Sequence, residues 1–361
     1  MSKFWSPQIV DLVPYTPGEQ PKIANLIKLN TNESPYPPAP GVASVLQQFD
    51  STSLRLYPDP EASELKHALA KNLGVNANQV FLGNGSDEVL AHAFMAFFRQ
   101  AKPLVKPSIT YSFYDVYADL YGIELVNMPL REDFSIDLAQ FPINNGGVIF
   151  ANPNAPTGLA LGLDQIEALL QRNTESLVLV DEAYVDFGGE SAISLVNRYP
   201  NLLVSQTFSK SRSLAGLRIG FAVGHPDLID ALERVKNSFN SYPIDMLAIA
   251  AGVASIADQD YFDSCTAKIV ATRTRIVAEL DALGFSSLNS STNFLFCQHR
   301  YIEAAELMGY LRTRGILVRH FSRPEIANFL RISIGTDSEM DALINALKHH
   351  PDIISLPANA E

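Results

Sequence analysis

Thr207-Phe208-Ser209-Lys210-Ser211-Arg212-Ser213-Leu214-Ala215-Gly216-Leu217-Arg218-Ile219-Gly220 sets one lysine, several hydroxyls and an arginine between two apolar runs. The runs, 202–205 and 219–223, have the near-continuous apolar character of strands buried on both faces. A lysine forms an imine with an aldehyde only when deprotonated, so a reactive Lys210 must sit where its charge is disfavoured. Thr207, Ser209 and Arg218 supply hydroxyls and a planar guanidinium, which suit a phosphate dianion. Taken alone, a lysine among serines is more often a solvated loop residue. A second segment changes that balance: the apolar run 177–180 ends in Asp181-Glu182-Ala183-Tyr184. A carboxylate at that point faces the crevice at the carboxyl ends of the strands, where α/β sheets bind ligands. The competing assignment, a helix N-cap, leaves Tyr184 three residues on without a role.

Working outward, strand-like runs at 80–82, 103–105, 148–150, 177–180, 202–205 and 219–223 alternate with helical patterns. This alternation predicts an α/β layered domain, with a mostly parallel sheet sandwiched by helices. From about Glu61 one helix face gathers Leu65, Ala68, Leu69 and Leu73, and Gly74 fits its end. Residues 1–40, with Pro14, Pro17, Pro21 and Pro35-Tyr36-Pro37-Pro38, read as an extended arm without regular core structure that reaches toward a partner. After about Pro243 the chain turns helical through Gly284, with Asp260 as N-cap of the helix carrying Ile269, Val270, Ile276, Val277 and Leu280. A second strand–helix block follows: strands at 294–297, 316–318 and 329–334, and a helix through Leu311. Thr336-Asp337-Ser338-Glu339 has capping-box spacing, and Met340, Leu343, Ile344 and Leu347 give the last helix its apolar face. His349-His350 reads as a solvated helix end with no metal site, and residues 355–361 as a fraying tail. The change in pattern near residue 260 suggests a large domain over 45–260 and a smaller α+β domain over 261–361.

The 361 residues are 47% hydrophobic and 18% charged, which fits a globular enzyme and not a disordered chain. A net charge of −12 with no Lys/Arg run argues against nucleic acid as a partner. Cys265 and Cys297 lie too far apart in sequence for a disulfide framework and fit a reducing cytoplasm. No apolar stretch is long enough to span a bilayer, and the first residues lack the apolar core of a signal peptide.

Gly83-Asn84-Gly85-Ser86-Asp87-Glu88 joins a strand to an apolar helix, and backbone amides at such a helix start bind phosphate. It lacks the Gly-Lys-Ser/Thr ending of a Walker loop, so alone it is equally well a capped turn. Arg319 and Arg331 sit in apolar strands, an expensive place for a cation without an anion. Either a structural salt bridge or an anionic substrate explains them.

Together with Asn152-Pro153-Asn154-Ala155-Pro156-Thr157-Gly158, these segments resemble, in order and content, the signature of fold-type I aminotransferases, which use pyridoxal 5′-phosphate (PLP). From Leu29 to about Leu347 the pattern is most similar to the histidinol-phosphate aminotransferase family, class II of these enzymes. The resemblance implies a mixed, mostly parallel sheet in the large domain, and a small domain in which the N-terminal arm 1–44 joins 261–361. It makes Lys210 the lysine that holds the cofactor and then carries the proton. Asp181 pairs with the pyridine nitrogen, keeping it protonated so the ring accepts electrons; Tyr184 and Asn154 bond the 3′-oxygen. Gly85, Ser86 and Asp87 match the phosphate cup, with Thr207, Ser209 and Arg218, and Tyr111 matches the aromatic stacked on the ring. Tyr57, in Leu56-Tyr57-Pro58-Asp59-Pro60, matches a tyrosine that crosses a homodimer interface to the neighbour's cofactor phosphate. Substrate contacts fall to Arg319, Arg331, Tyr15 and the Asn32 and Glu33 of Leu29-Asn30-Thr31-Asn32-Glu33-Ser34-Pro35-Tyr36, with Asn293 opposite the cofactor. Ala155 departs from the commoner Asn-Asn-Pro-Thr-Gly form, and Ser211-Arg212-Ser213 from the usual linker; neither removes a proposed catalytic group. The implied reaction is transamination between L-histidinol phosphate and 2-oxoglutarate in histidine biosynthesis. An aromatic aminotransferase or a phospho-amino-acid decarboxylase of the same fold stays open, as does a PLP-binding protein without turnover.

Overall fold

In the computed structural model, which describes residues 3–22 and 25–354, the alternating runs form one seven-stranded sheet. A two-residue strand β1 (Ile27–Lys28) precedes it. Its own strands are β2 (Val80–Asn84), β3 (Leu104–Pro107), β4 (Leu125–Met128), β5 (Gly147–Ala151), β6 (Val178–Asp181), β7 (Leu202–Thr207) and β8 (Ile219–Gly224). The order is β2-β8-β7-β6-β5-β3-β4, parallel throughout except for β8, which runs antiparallel to β2 and β7. Side chains alternate between two apolar layers. Val148, Phe150, Val178, Val180, Leu202 and Val204 enter one core, while Ile149, Leu179 and Leu203 enter the other. Both faces are therefore covered, which is why the strands read as unbroken apolar runs.

Register fixes what stands at the sheet's edge. Asp181 pairs with Ser205, Thr207 with Gly220, and Asn84 with Ile219. Because β2 is parallel to β7, the start of the helix Gly85–Ala93 lies at the same edge as Asp181 and Thr207. Gly220 is required there, since a Cβ would overlap the amide of Ser86.

The second sheet is antiparallel: β9 (Phe285–Ser287), β10 (Phe294–His299), β12 (Arg319–His320) and β13 (Leu330–Ser333), in the order β12-β13-β10-β9. It shares an apolar core with the helices Gln259–Asp281, Ala304–Thr313 and Asp337–Lys348. Among the described residues, no helix is long and apolar enough to cross a membrane.

Several expectations are corrected. The N-terminal segment is not wholly outside the core: β1 pairs parallel with β11 (Ile316–Leu317), and Leu29 is 1% exposed. The single strand expected at 316–318 divides, because β11 serves β1 whereas β12 joins the second sheet. β4 was not expected; a four-residue edge strand with only half-buried and exposed residues leaves little apolar signal. Asp258, not Asp260, is the N-cap of Gln259–Asp281, and Asp260 sits in the first turn. His350 is buried against Tyr310 rather than solvated, and its ring lies with the carboxylates of Glu306 and Asp352. The tail 355–361 lies outside the described residues.

The Thr336 capping box forms as expected: its hydroxyl accepts from the Glu339 amide, and the Glu339 carboxylate accepts from the Thr336 amide at 2.7 Å. Thr336→Ala should therefore cost about 1 kcal/mol, read as a lower urea midpoint with an unchanged m-value.

Candidate active site

A cavity of about 450 Å³ opens at the shared edge of the large sheet, walled on its other side by the second sheet and the N-terminal segment. Tyr15, Asn32, Ser86, Asp87, Tyr111, Asp181, Tyr184, Thr207, Ser209, Lys210, Arg218, Arg319 and Arg331 all line it. Residues scattered over more than 300 positions thus converge on one site.

Lys210 follows β7, in the loop that returns the chain to β8. Its Nζ donates to the Thr31 carbonyl at 3.3 Å and lies 5.7 Å from the centre of the Tyr184 ring. The Tyr184 hydroxyl accepts from Asn32 Nδ2 at 3.0 Å. Asn32 is itself held by Ser333, which donates to its Oδ1 at 2.9 Å and accepts from its amide at 2.8 Å, and by Asn293, which donates to its carbonyl at 3.0 Å. The strand ends of one sheet are thereby tied to β13 of the other.

Asp181 is buried at the end of β6. Its Oδ2 accepts from the Tyr114 hydroxyl at 2.7 Å, while its Oδ1 has no partner among the described residues. Burial pushes this carboxyl up to about 6, against the Tyr114 hydroxyl and the Ala183 amide, which favour its charge.

The anion corner lies where Gly85 begins its helix. Gly85 takes φ +78°, and a Cβ there would overlap the Arg218 guanidinium, so arginine and backbone pack directly together. Arg218 pairs with Asp87 at 3.1 Å and donates to Ser209 Oγ at 3.5 Å. Tyr111 donates to the other Asp87 oxygen at 3.2 Å. The Thr207 hydroxyl accepts from the Ser209 amide at 3.1 Å, which shapes the turn before Lys210.

Arg319 and Arg331 face each other as register partners on β12 and β13. Among the described residues neither pairs with a carboxylate. Arg331 donates through Nη2 to the Asn30 carbonyl at 3.1 Å and lies over the Phe294 ring at 5.3 Å, but its buried Nε is unpartnered. Burial lowers its pKa, and the charge of Arg319 acts in the same direction. The structural salt bridge considered from sequence is absent, which leaves two cations lining a cavity.

Asn154, Glu33, Gly85, Tyr57 and Asn293 do not line this chain's cavity. Asn154 does not line the cavity: its amide donates to the Ile109 carbonyl and Thr157, and its Oδ1 accepts from Thr110, so it braces two loops. Glu33 is exposed, pairs with Lys28 at 2.6 Å and accepts from Thr31 at 2.8 Å, and the charge of Lys210 also acts on it. Gly85 lies beneath Arg218 and reaches the cavity only through its neighbours Ser86 and Asp87. Tyr57 is 80% exposed and stacks on Tyr242 at 4.7 Å, away from this chain's own cavity. Sequence reasoning gave no role to Tyr114, Asp115 or Arg323.

PLP fits these residues. Its pyridinium needs a buried anion with a free oxygen, which Asp181 Oδ1 supplies. Its phosphate needs amides, hydroxyls and a guanidinium together, as at Gly85, Ser86, Ser209 and Arg218.

The family model for aminotransferase class I and II matches residues 24–347. Histidinol-phosphate aminotransferase 2 of Dechloromonas aromatica is 60% identical over 352 residues, covering 96% of this chain and 99% of that one. Histidinol-phosphate aminotransferase of Chromohalobacter salexigens is 58% identical over 348 residues, with coverage of 96% and 99%. The crystal structure of histidinol-phosphate aminotransferase from Sinorhizobium meliloti, in complex with pyridoxal-5′-phosphate, matches 98% of both chains with a TM-score of 0.87 at 28% identity. With such identity extending over nearly its whole length, the chain belongs to the histidinol-phosphate aminotransferase family, within aminotransferase class I and II.

Proposed function

We propose that this chain is a PLP-dependent aminotransferase that transfers the amino group of L-histidinol phosphate to 2-oxoglutarate, giving imidazole-acetol phosphate and L-glutamate in histidine biosynthesis. The observation that carries the reading is the cationic pair Arg319 and Arg331, without carboxylate partners, in the same cavity as Lys210 and Asp181. Histidinol phosphate has a phosphomethyl group where an amino acid has its carboxylate, and glutamate brings carboxylates to the same pocket. Guanidinium forks bind both kinds of anion.

Bound here, PLP supplies an aldehyde that takes the amino group and a ring that accepts the electron pair released at the substrate Cα. The chain's residues do the rest. Asp181, buried and oriented by Tyr114, places a negative charge at the ring nitrogen and keeps it protonated. Ser86, the Asp87 amide, Ser209 and Arg218 would hold the phosphate, and Tyr111 would lie against the ring. Lys210 Nζ would take the proton from the substrate Cα and deliver it to C4′ of the cofactor, and would run the transfer in reverse in the second half-reaction. Tyr184 stays close to Lys210, positioned by Asn32. Tyr15 closes the substrate side, where it packs on Phe113 at 4.7 Å.

The domain division at about residues 44 and 260 is supported by the separation of the two apolar cores, although Ala39 and Val42 already belong to the larger one. A homodimer with Tyr57 acting in the partner's site is supported by its exposure together with its sequence neighbours Leu54 and Leu56 and with Tyr242, on which it stacks. The buried free thiols of Cys265 and Cys297 suit a reducing cytoplasm.

Borohydride reduction of the holoenzyme should fix the cofactor to Lys210, and Lys210→Ala should bind PLP without turnover. Peptide mapping of the adduct to any other lysine rejects the assignment.

Mixing Tyr57→Phe with Lys210→Ala chains tests the shared site. Heterodimers put both lesions in one site and neither in the other, so activity should rise above that of either parent. No recovery despite proven subunit exchange returns Tyr57 to its own subunit or to a structural role.

Arg331→Ala should weaken both half-reactions, since a lost charge-assisted contact costs on the order of 1.5–3 kcal/mol, roughly ten- to a hundredfold in kcat/KM. The wild type should prefer histidinol phosphate to histidinol by a wide margin, with phenylalanine and tyrosine slower. Steady-state kcat/KM for these donors with 2-oxoglutarate decides it. A different best donor points to a general aromatic aminotransferase, and release of CO2 to a decarboxylase.

A further inference from the structure

Three carboxylates line the cavity: Asp87, Asp115 and Asp181. Asp87 is paired with Arg218, and Asp181 is tied to Tyr114 deep at the strand ends. Asp115 has no part in the reading so far. It stands in the first turn of the helix Phe113–Tyr121, four residues after Tyr111. Its support is unusual. Lys106, the third residue of β3, is 2% exposed, and its Nζ meets Asp115 Oδ1 at 3.0 Å. A lysine buried in a central strand is costly unless an anion meets it. Here that anion comes from a side chain which itself remains 49% exposed at the cavity wall. One carboxylate oxygen is therefore anchored from below, while Oδ2 has no hydrogen-bond partner among the described residues.

The two substrates differ in what they ask of this wall. Each brings an amino or oxo carbon and an anion. Only the phosphorylated one also carries an imidazole, whose N–H groups need an acceptor once they leave water. Arg319, Arg323 and Arg331 are donors only, so they cannot meet that need. We propose that Asp115, fixed by the buried Lys106, accepts the imidazole N–H of the amino donor and is a specificity-determining residue for the imidazole-bearing substrate. Lys106 is a positioning residue: it holds the carboxylate in one orientation without touching the substrate. The assignment rests on the functional reading above. It makes Asp115 important to one half-reaction and dispensable for the recognition of glutamate.

The test uses holoenzyme and single-turnover absorbance of the cofactor, with histidinol phosphate and glutamate measured separately. In Asp115→Ala the ratio of kcat/KM for histidinol phosphate over that for glutamate should fall roughly ten- to a hundredfold, the range for a hydrogen bond to a charged group. Asp115→Asn keeps an acceptor oxygen and should fall between the wild type and Asp115→Ala. If Asp115→Ala fails to fold because Lys106 is left unpaired, the double variant Lys106→Met with Asp115→Leu removes both charges and should show the same selective loss. An unchanged ratio, or an equal fall for both donors, overturns the assignment while leaving the function intact. A wild type that does not use histidinol phosphate at all rejects the functional reading, and this assignment with it.

Discussion

The pairing of Thr207 with Gly220 governs where the chemistry is placed. It turns β8 back along β7, so the intervening loop must sit on the edge where β6 and β2 also end. The return is tight enough that only a glycine at 220 leaves room for the Ser86 amide. Lys210 and Arg218 from this loop, Ser86 and Asp181 come from three separated segments, and this reversal brings them within one cavity. The antiparallel strand in an otherwise parallel sheet is thus what converts a strand-end crevice into a closed corner with its own cation.

A second constraint is electrostatic. The wall made by β12 and β13 sets two arginines side by side and gives neither a carboxylate. Like charges in register oppose folding, and a buried guanidinium nitrogen without a partner adds to that cost. The aromatic faces of Phe294 and Phe321 and the Asn30 carbonyl offset part of it. What remains favours whichever anion enters, so strain in the protein and affinity for phosphate or carboxylate have one origin.

Much of this was legible in the sequence because each feature had a local signature. Unbroken apolar runs gave six of the seven strands of the large sheet, and hydroxyls flanking Lys210 marked the turn. The Asp181 carboxylate was legible from its place after an apolar run, but its hydroxyl partner Tyr114 was not, since contact across 67 residues leaves no periodic trace. The same holds for Lys106 and Asp115, which lie nine positions apart on different elements. The partners of Asn154 and Glu33 were not legible for a related reason: a motif gives a residue's type, whereas its neighbours decide which atoms remain free. Strand β4 was missed because, at an edge, its few residues carry almost no burial pattern.

Asn32 takes its hydrogen bonds from Ser333, 301 residues later in the chain. Ribosomal synthesis therefore releases Asn32 long before Ser333. The seven-stranded sheet, complete by Gly224, has all its strands outside the ribosome while β13 is still unmade. Until β13 docks, Tyr184 lacks the Ser333-braced amide that positions its hydroxyl. The bracing of Tyr184 beside Lys210 is consequently complete only after β13 has been made.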